Sequence, residues 1–113
     1  MTVKELAVRQ NVLREANERI NRLRWTQAPG EKIGYLCECS RVDCAETIAL
    51  DADGYDAVRA SPLRFLLLPG HDQAGVERVV EHHADYVVVE NIGEAAEIAR
   101  AADPPRHRLN PDP

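Results

Sequence analysis

All three cysteines of this chain fall within the eight positions 37–44, in the stretch GYLCECSRVDC, and none occurs elsewhere in its 113 residues. That clustering constrains the fold more than any other feature. A domain of this length buries only a modest core. Aromatic residues make up 4% of the chain, so the core must be built from Val, Leu, Ile and Ala. A small aliphatic core gains from a staple. An odd number of cysteines cannot form a fully paired disulfide framework, and the first twenty residues, MTVKELAVRQNVLREANERI, are charged throughout, without the apolar stretch of a signal peptide. A reducing, cytoplasmic location is expected, where clustered thiols serve as metal ligands or redox groups. No apolar run reaches the roughly 18 residues of a membrane span, so no membrane association is expected.

The spacing of the thiols suggests how they converge. Residues i and i+2 of an extended strand share a face, so Cys37 and Cys39 should present their sulfurs on one side and Glu38 its carboxylate on the other. The four residues SRVD have the length of a hairpin loop and would return Cys44 to the same pocket. Three thiolates around Zn²⁺ leave one tetrahedral vertex, which imidazole fills readily. His71 follows the apolar run FLLL through the turn Pro69-Gly70, and a sheet would hold it rigidly there, so His71 is the expected fourth ligand. His82 and His83, on a predicted helix, are its rivals. His83 also reads as a half-buried structural residue continuing the face of Val76, Val79 and Val80. His107, between Arg106 and Arg108, reads as solvated. With four protein ligands the site would be closed and structural, with Zn²⁺ as the expected ion. A [2Fe-2S] cluster held by three Cys and one His is the alternative.

Around this cluster the chain reads as an α+β domain. Residues 3–24 form an amphipathic helix whose stripe of Leu6, Leu13, Ala16, Ile20 and Leu23 would cover the protein's own core or meet a partner or a second copy. The segment TQAPGEK is a linker. KIGYLCEC and ETIAL are predicted as a hairpin, and Asp51 caps a short helix carrying Tyr55 and Val58, which Gly54 weakens. The run 65–68 reads as a buried strand, 75–83 as a helix, 86–90 as a strand and IGEAAEIARAAD as a helix. The expected division is an N-terminal helix over 1–25, a metal-binding α+β domain over 31–103 stapled by a Cys₃His site, and a disordered tail over 104–113.

The combination of REANERINRL, YLCECSRVDCAETIAL, YDAVRASPLRFLLLPGH, VERVVEHHADYVVVE and GEAAEIA resembles a family of small uncharacterised actinobacterial proteins and N-terminal modules, over residues 9–100. The resemblance implies the same C-x-C-x4-C cluster and Pro-Gly-His turn, carried here by Cys37, Cys39, Cys44 and His71. It implies no activity. This chain departs from the family at Gly54, where relatives carry a better helix former.

Net charge is −5, yet residues 1–25 carry six basic against three acidic side chains, which leaves −8 on the remainder. A body of that sign, nearly devoid of stacking aromatics, is expected not to bind nucleic acid. The expected function is a zinc-binding interaction or regulatory module. A redox or iron–sulfur sensor or electron-transfer protein is the alternative. A zinc hydrolase with Glu38 or Glu46 as base is disfavoured, because Glu38 points away from the sulfurs in an extended strand.

Overall fold

The computed structural model describes residues 1–104. His107 and all but the first residue of the expected tail lie outside the described residues. The fold is α+β: helix α1 (Val3–Asn21) with a short 3₁₀ turn at its end, strands β1 (Lys32–Leu36) and β2 (Thr47–Asp51), helix α2 (Ala52–Val58), strands β3 (Arg64–Leu67), β4 (Glu77–His82) and β5 (Val87–Asn91), and helix α3 (Gly93–Ala101). The strands form two antiparallel sheets, β1-β2 and β3-β5-β4. Among the described residues no helix is long and apolar enough to cross a membrane.

The core lies between the sheets and is aliphatic apart from Phe65 and two tyrosines. Ile48, Leu50, Val58, Phe65, Leu66, Leu67 and the run Val87, Val88, Val89 are buried together with Tyr35 and Tyr55. The Tyr35 and Tyr55 rings stack with centroids 4.5 Å apart. β5 is the central strand of its sheet, which explains why three consecutive valines are buried rather than alternating.

α1 begins with a capping box: the Thr2 hydroxyl accepts from the Glu5 amide, and the Glu5 carboxylate accepts from the Thr2 amide. The face it buries is not the apolar stripe. Ala7, Gln10, Arg14, Asn17 and Asn21 point inward at alternating spacings of three and four, while Leu6, Leu13, Ala16 and Ile20 are half-buried and Leu23 is 58% exposed. The surface beneath α1 explains the inversion. Beyond a small apolar cluster of Ala7 with Val76 and Ala95 and the Phe65 ring under Arg14, it presents backbone groups that need partners. Arg14 donates to the carbonyls of Pro62 (2.5 Å) and Ala99 (2.8 Å), Gln10 to that of Glu38 (3.1 Å) and Asn17 to that of Leu36 (2.9 Å).

One predicted element is wrong in kind: 75–83 is not a helix. Gly75 turns the chain at φ +87°, and residues from Glu77 onward pair with β5. The ladder slips between Val79 and Glu81, where a bulge breaks the two-residue alternation of the strand. Val76 lies in the turn before β4, and Val79 and Val80 sit at the bulge, so apolar residues fall at i, i+3 and i+4 without a helix and periodicity alone misassigns the segment. The short helix expected after Asp51 does form, with the Asp51 carboxylate accepting from the Gly54 amide at 2.8 Å. Gly54 is there for space: a Cβ at that position would lie 2.8 Å from Leu50 Cδ1.

Candidate metal centre

The centre is built where the first sheet hands over to the second. Beyond β1 the chain stays extended: the Cys37 amide still bonds the Glu46 carbonyl (3.0 Å), whereas the Glu38 amide bonds the Leu66 carbonyl of β3 (2.8 Å). Cys37 and Cys39 turn their sulfurs to one side and are 2% and 0% exposed. Glu38 turns the other way and is fully buried. Its carboxylate accepts from the Tyr55 hydroxyl (2.6 Å), the Asn17 amide (2.8 Å) and the Leu66 backbone (2.9 Å). The alternation expected of CEC is realised, with the intervening glutamate as an anchor on three elements.

Cys44 closes a turn in which its amide bonds the Arg41 carbonyl at 3.2 Å. Arg9 of α1 reinforces that turn, with Nε on the Arg41 carbonyl (3.1 Å) and Nη2 on that of Cys44 (3.4 Å). The fourth group comes from beyond β3. Gly70, at φ +83°, reverses the chain in a conformation that suits glycine, and the His71 amide bonds the Leu68 carbonyl at 3.1 Å. His71 Nδ1 then lies 3.7 Å from Cys37 Sγ and 3.6 Å from Cys44 Sγ.

The donor atoms of Cys37, Cys39, Cys44 and His71 all lie within 4.8 Å of one another. Zinc–sulfur bonds of about 2.3 Å give a tetrahedral edge of about 3.8 Å, so the group needs little adjustment to surround one ion. Backbone amides act on the sulfurs: Leu68 N–H donates to Cys37 Sγ at 3.2 Å, and the Arg41 backbone acts to lower the Cys39 pKa. Such donors favour thiolate over thiol. Burial works against them and pushes the Cys37 and Cys39 thiols up from their ordinary range. A cation held here would supply the positive charge that reverses this balance.

The rival histidines lie elsewhere. His82 ends β4 and His83 follows it, both exposed. His83 Nε2 is 2.9 Å from a Glu81 oxygen, and its ring stacks on Tyr86 at 4.3 Å. The structural role expected for His83 as a half-buried helical residue therefore does not hold, because the helix is absent. Glu46 lines a polar cavity of about 180 Å³ with Arg41, Asp43, Cys44 and His71. Glu38, the other candidate base, is taken up by its three donors.

Sequence reasoning missed the outer residues, namely Arg9, Gln10 and Asn17 of α1 and the Leu68 amide. For Gln10 and Asn17 a signal existed: Gln10, Arg14, Asn17 and Asn21 repeat at heptad spacing, and a polar seam of that kind on an otherwise amphipathic helix marks buried hydrogen bonding. The fold and the site define a small α+β domain with a clustered Cys₃His group. No protein-family model matches the chain, and no curated protein or solved structure matches it either.

Proposed function

We propose that the chain is a zinc-binding domain in which Cys37, Cys39, Cys44 and His71 hold one Zn²⁺ in a closed structural site, and that it acts as an interaction or regulatory module in the cytoplasm. The observation that carries this reading is the convergence of four donor atoms within 4.8 Å. A mononuclear site fits that spacing. A [2Fe-2S] cluster divides its ligands between two irons and spreads them farther apart than one tetrahedron does. With all four vertices filled by side chains, no position is left for an activated water, which favours a structural role over a hydrolase. Zinc would join the loop of residues 37–44 to the turn after β3 and so tie the two sheets together.

The resemblance to small actinobacterial proteins belongs to the same proposal, since it assigns the same four residues. So does the absence of a nucleic-acid partner, which the net charge of −5 supports. A protein partner or a second copy would meet α1 on its outer face, where Val8 and Val12 are exposed.

Metal analysis tests the reading. Protein purified without oxygen should be colourless and carry about one zinc per chain, as a single four-ligand site requires. Brown protein with visible absorption and two irons per chain would replace zinc with the cluster. In the same preparation His71→Ala should lose the ion, whereas His82→Ala and His83→Ala should keep it.

A further inference from the structure

The three sulfurs of the centre are not equivalent. Cys37 and Cys39 lie inside the core with Tyr35 and Leu66, whereas Cys44 is half-buried and forms part of the wall of the polar cavity beside His71. The cavity, at about 180 Å³, is larger than a peroxide molecule. Arg41, Val42 and Asp43, which carry Cys44, are all exposed. We propose that Cys44 is a site of oxidative modification, at which a peroxide converts the zinc-bound thiolate into a disulfide with Cys39 and releases the ion. The inference rests on the zinc reading and adds a regulation of that site.

The chemistry balances with hydrogen peroxide as oxidant. The Cys44 thiolate attacks one peroxide oxygen, a sulfur–oxygen bond forms, the oxygen–oxygen bond breaks and hydroxide leaves. The Cys39 thiolate then attacks the Cys44 sulfur, forming the disulfide and displacing a second hydroxide, and the buffer acid protonates both hydroxides to water. Two thiolates lose two electrons in total and peroxide is reduced to water. Zinc left with Cys37 and His71 has half its ligands and dissociates.

Geometry selects the partner. Cys37 and Cys39 are two residues apart in extended chain, with Cα atoms about 7 Å apart, at the limit for a bridge. Glu38 between them is pinned through its amide to Leu66, its carbonyl to Gln10 and its carboxylate to Tyr55, so that segment cannot pucker to bring them together. Cys44 sits after the exposed residues 41–43, on a turn held by the Arg9 side chain rather than by a strand ladder. The Cys39 sulfur lies within 4.8 Å of both others and His71 Nδ1 is equally near Cys37 and Cys44, so what sets Cys37 apart is the Leu68 amide on its sulfur and the pinned Glu38 beside it.

The test starts from zinc-loaded protein whose metal content is measured first. Hydrogen peroxide is then added with a chromogenic zinc chelator, and disulfides are mapped by peptide mass spectrometry. Zinc release in step with a Cys39–Cys44 disulfide, reversed by dithiothreitol and added zinc, is the expected result. Cys44→His keeps four ligands and should release zinc roughly ten-fold more slowly or less, because the accessible thiolate is gone. Should that variant fail to load zinc, brief alkylation of the wild-type holoprotein with iodoacetamide decides instead, and Cys44 must be labelled before Cys37 and Cys39. Zinc retained through peroxide, a bridge that includes Cys37, or first labelling at Cys37 or Cys39 overturns the inference and leaves the zinc reading intact. Protein that holds no zinc at the outset overturns both.

Discussion

Asn17 meets Leu36 as a neighbouring strand would: its carboxamide oxygen accepts from the Leu36 amide at 2.8 Å, and its nitrogen donates to the Leu36 carbonyl at 2.9 Å. A helix side chain thereby completes the ladder at the residue before Cys37. The same nitrogen also donates to Glu38. Asn17→Leu keeps the volume and leaves a buried amide, a carbonyl and a carboxylate short of partners. The expected cost is about 2–4 kcal/mol, read by urea denaturation of chelated protein. A loss under about 1 kcal/mol would mean that water replaces the carboxamide.

Removal of the metal should uncouple the two sheets. Cys39→Ser, His71→Ala and treatment of wild-type protein with a strong chelator should each lower the thermal midpoint and weaken the circular dichroism of the fold, because structural zinc contributes directly to folding. Unchanged melting after verified zinc removal would show that the aliphatic core suffices without a staple.

Glu77 carries a pH dependence of its own. Burial raises its pKa from the ordinary 4.5 to about 7, although hydrogen bonds from the Gln73 backbone and Gln10 oppose the shift. The folded state therefore holds its proton more tightly than the unfolded state does. The resulting stabilisation is fully present below pH 4.5 and is lost as pH rises through about 7. Carbon-13 titration of the Glu77 carboxyl should show a midpoint near 7, and Glu77→Gln should flatten the decline in stability across that window. A midpoint below pH 5 would contradict this account.

Arg59 joins three helices, bonding Glu18 of α1 at 2.5 Å and Asp103 after α3 at 2.6 Å from the end of α2. Its side chain is 1% exposed. Arg59→Met leaves buried carboxylate charge behind and should cost about 3–5 kcal/mol, measured in denaturant. A cost near that of an exposed pair, below about 1 kcal/mol, would contradict the burial described here.

At Gly54 two effects compete. Alanine gains about 1 kcal/mol of helix propensity, but its Cβ would lie 2.8 Å from a methyl of Leu50, which is itself buried. Overpacking of that kind costs about 1–3 kcal/mol, so Gly54→Ala should be neutral to destabilising by thermal melting. Clear stabilisation would show that Leu50 has room to yield.

The sequence by itself determined those features that depend on local geometry. The facing sulfurs of Cys37 and Cys39 follow from the two-residue period of an extended chain, the helix after Asp51 from its cap, and the buried strand after Pro62 from a run of apolar residues. Tertiary structure decided the rest. It drew His71 rather than His82 or His83 to the sulfurs, because β3 lies beside the segment that leaves β1 and β4 is a strand that ends elsewhere. It turned 75–83 from an apparent helix into a bulged strand, because β5 offered a ladder and the turn and bulge together imitate helical spacing. It also turned the polar seam of α1 inward. A side-chain pattern reveals which residues avoid water, but not which backbone groups lie unpaired beneath a helix, and it is those groups that Arg14, Gln10 and Asn17 satisfy.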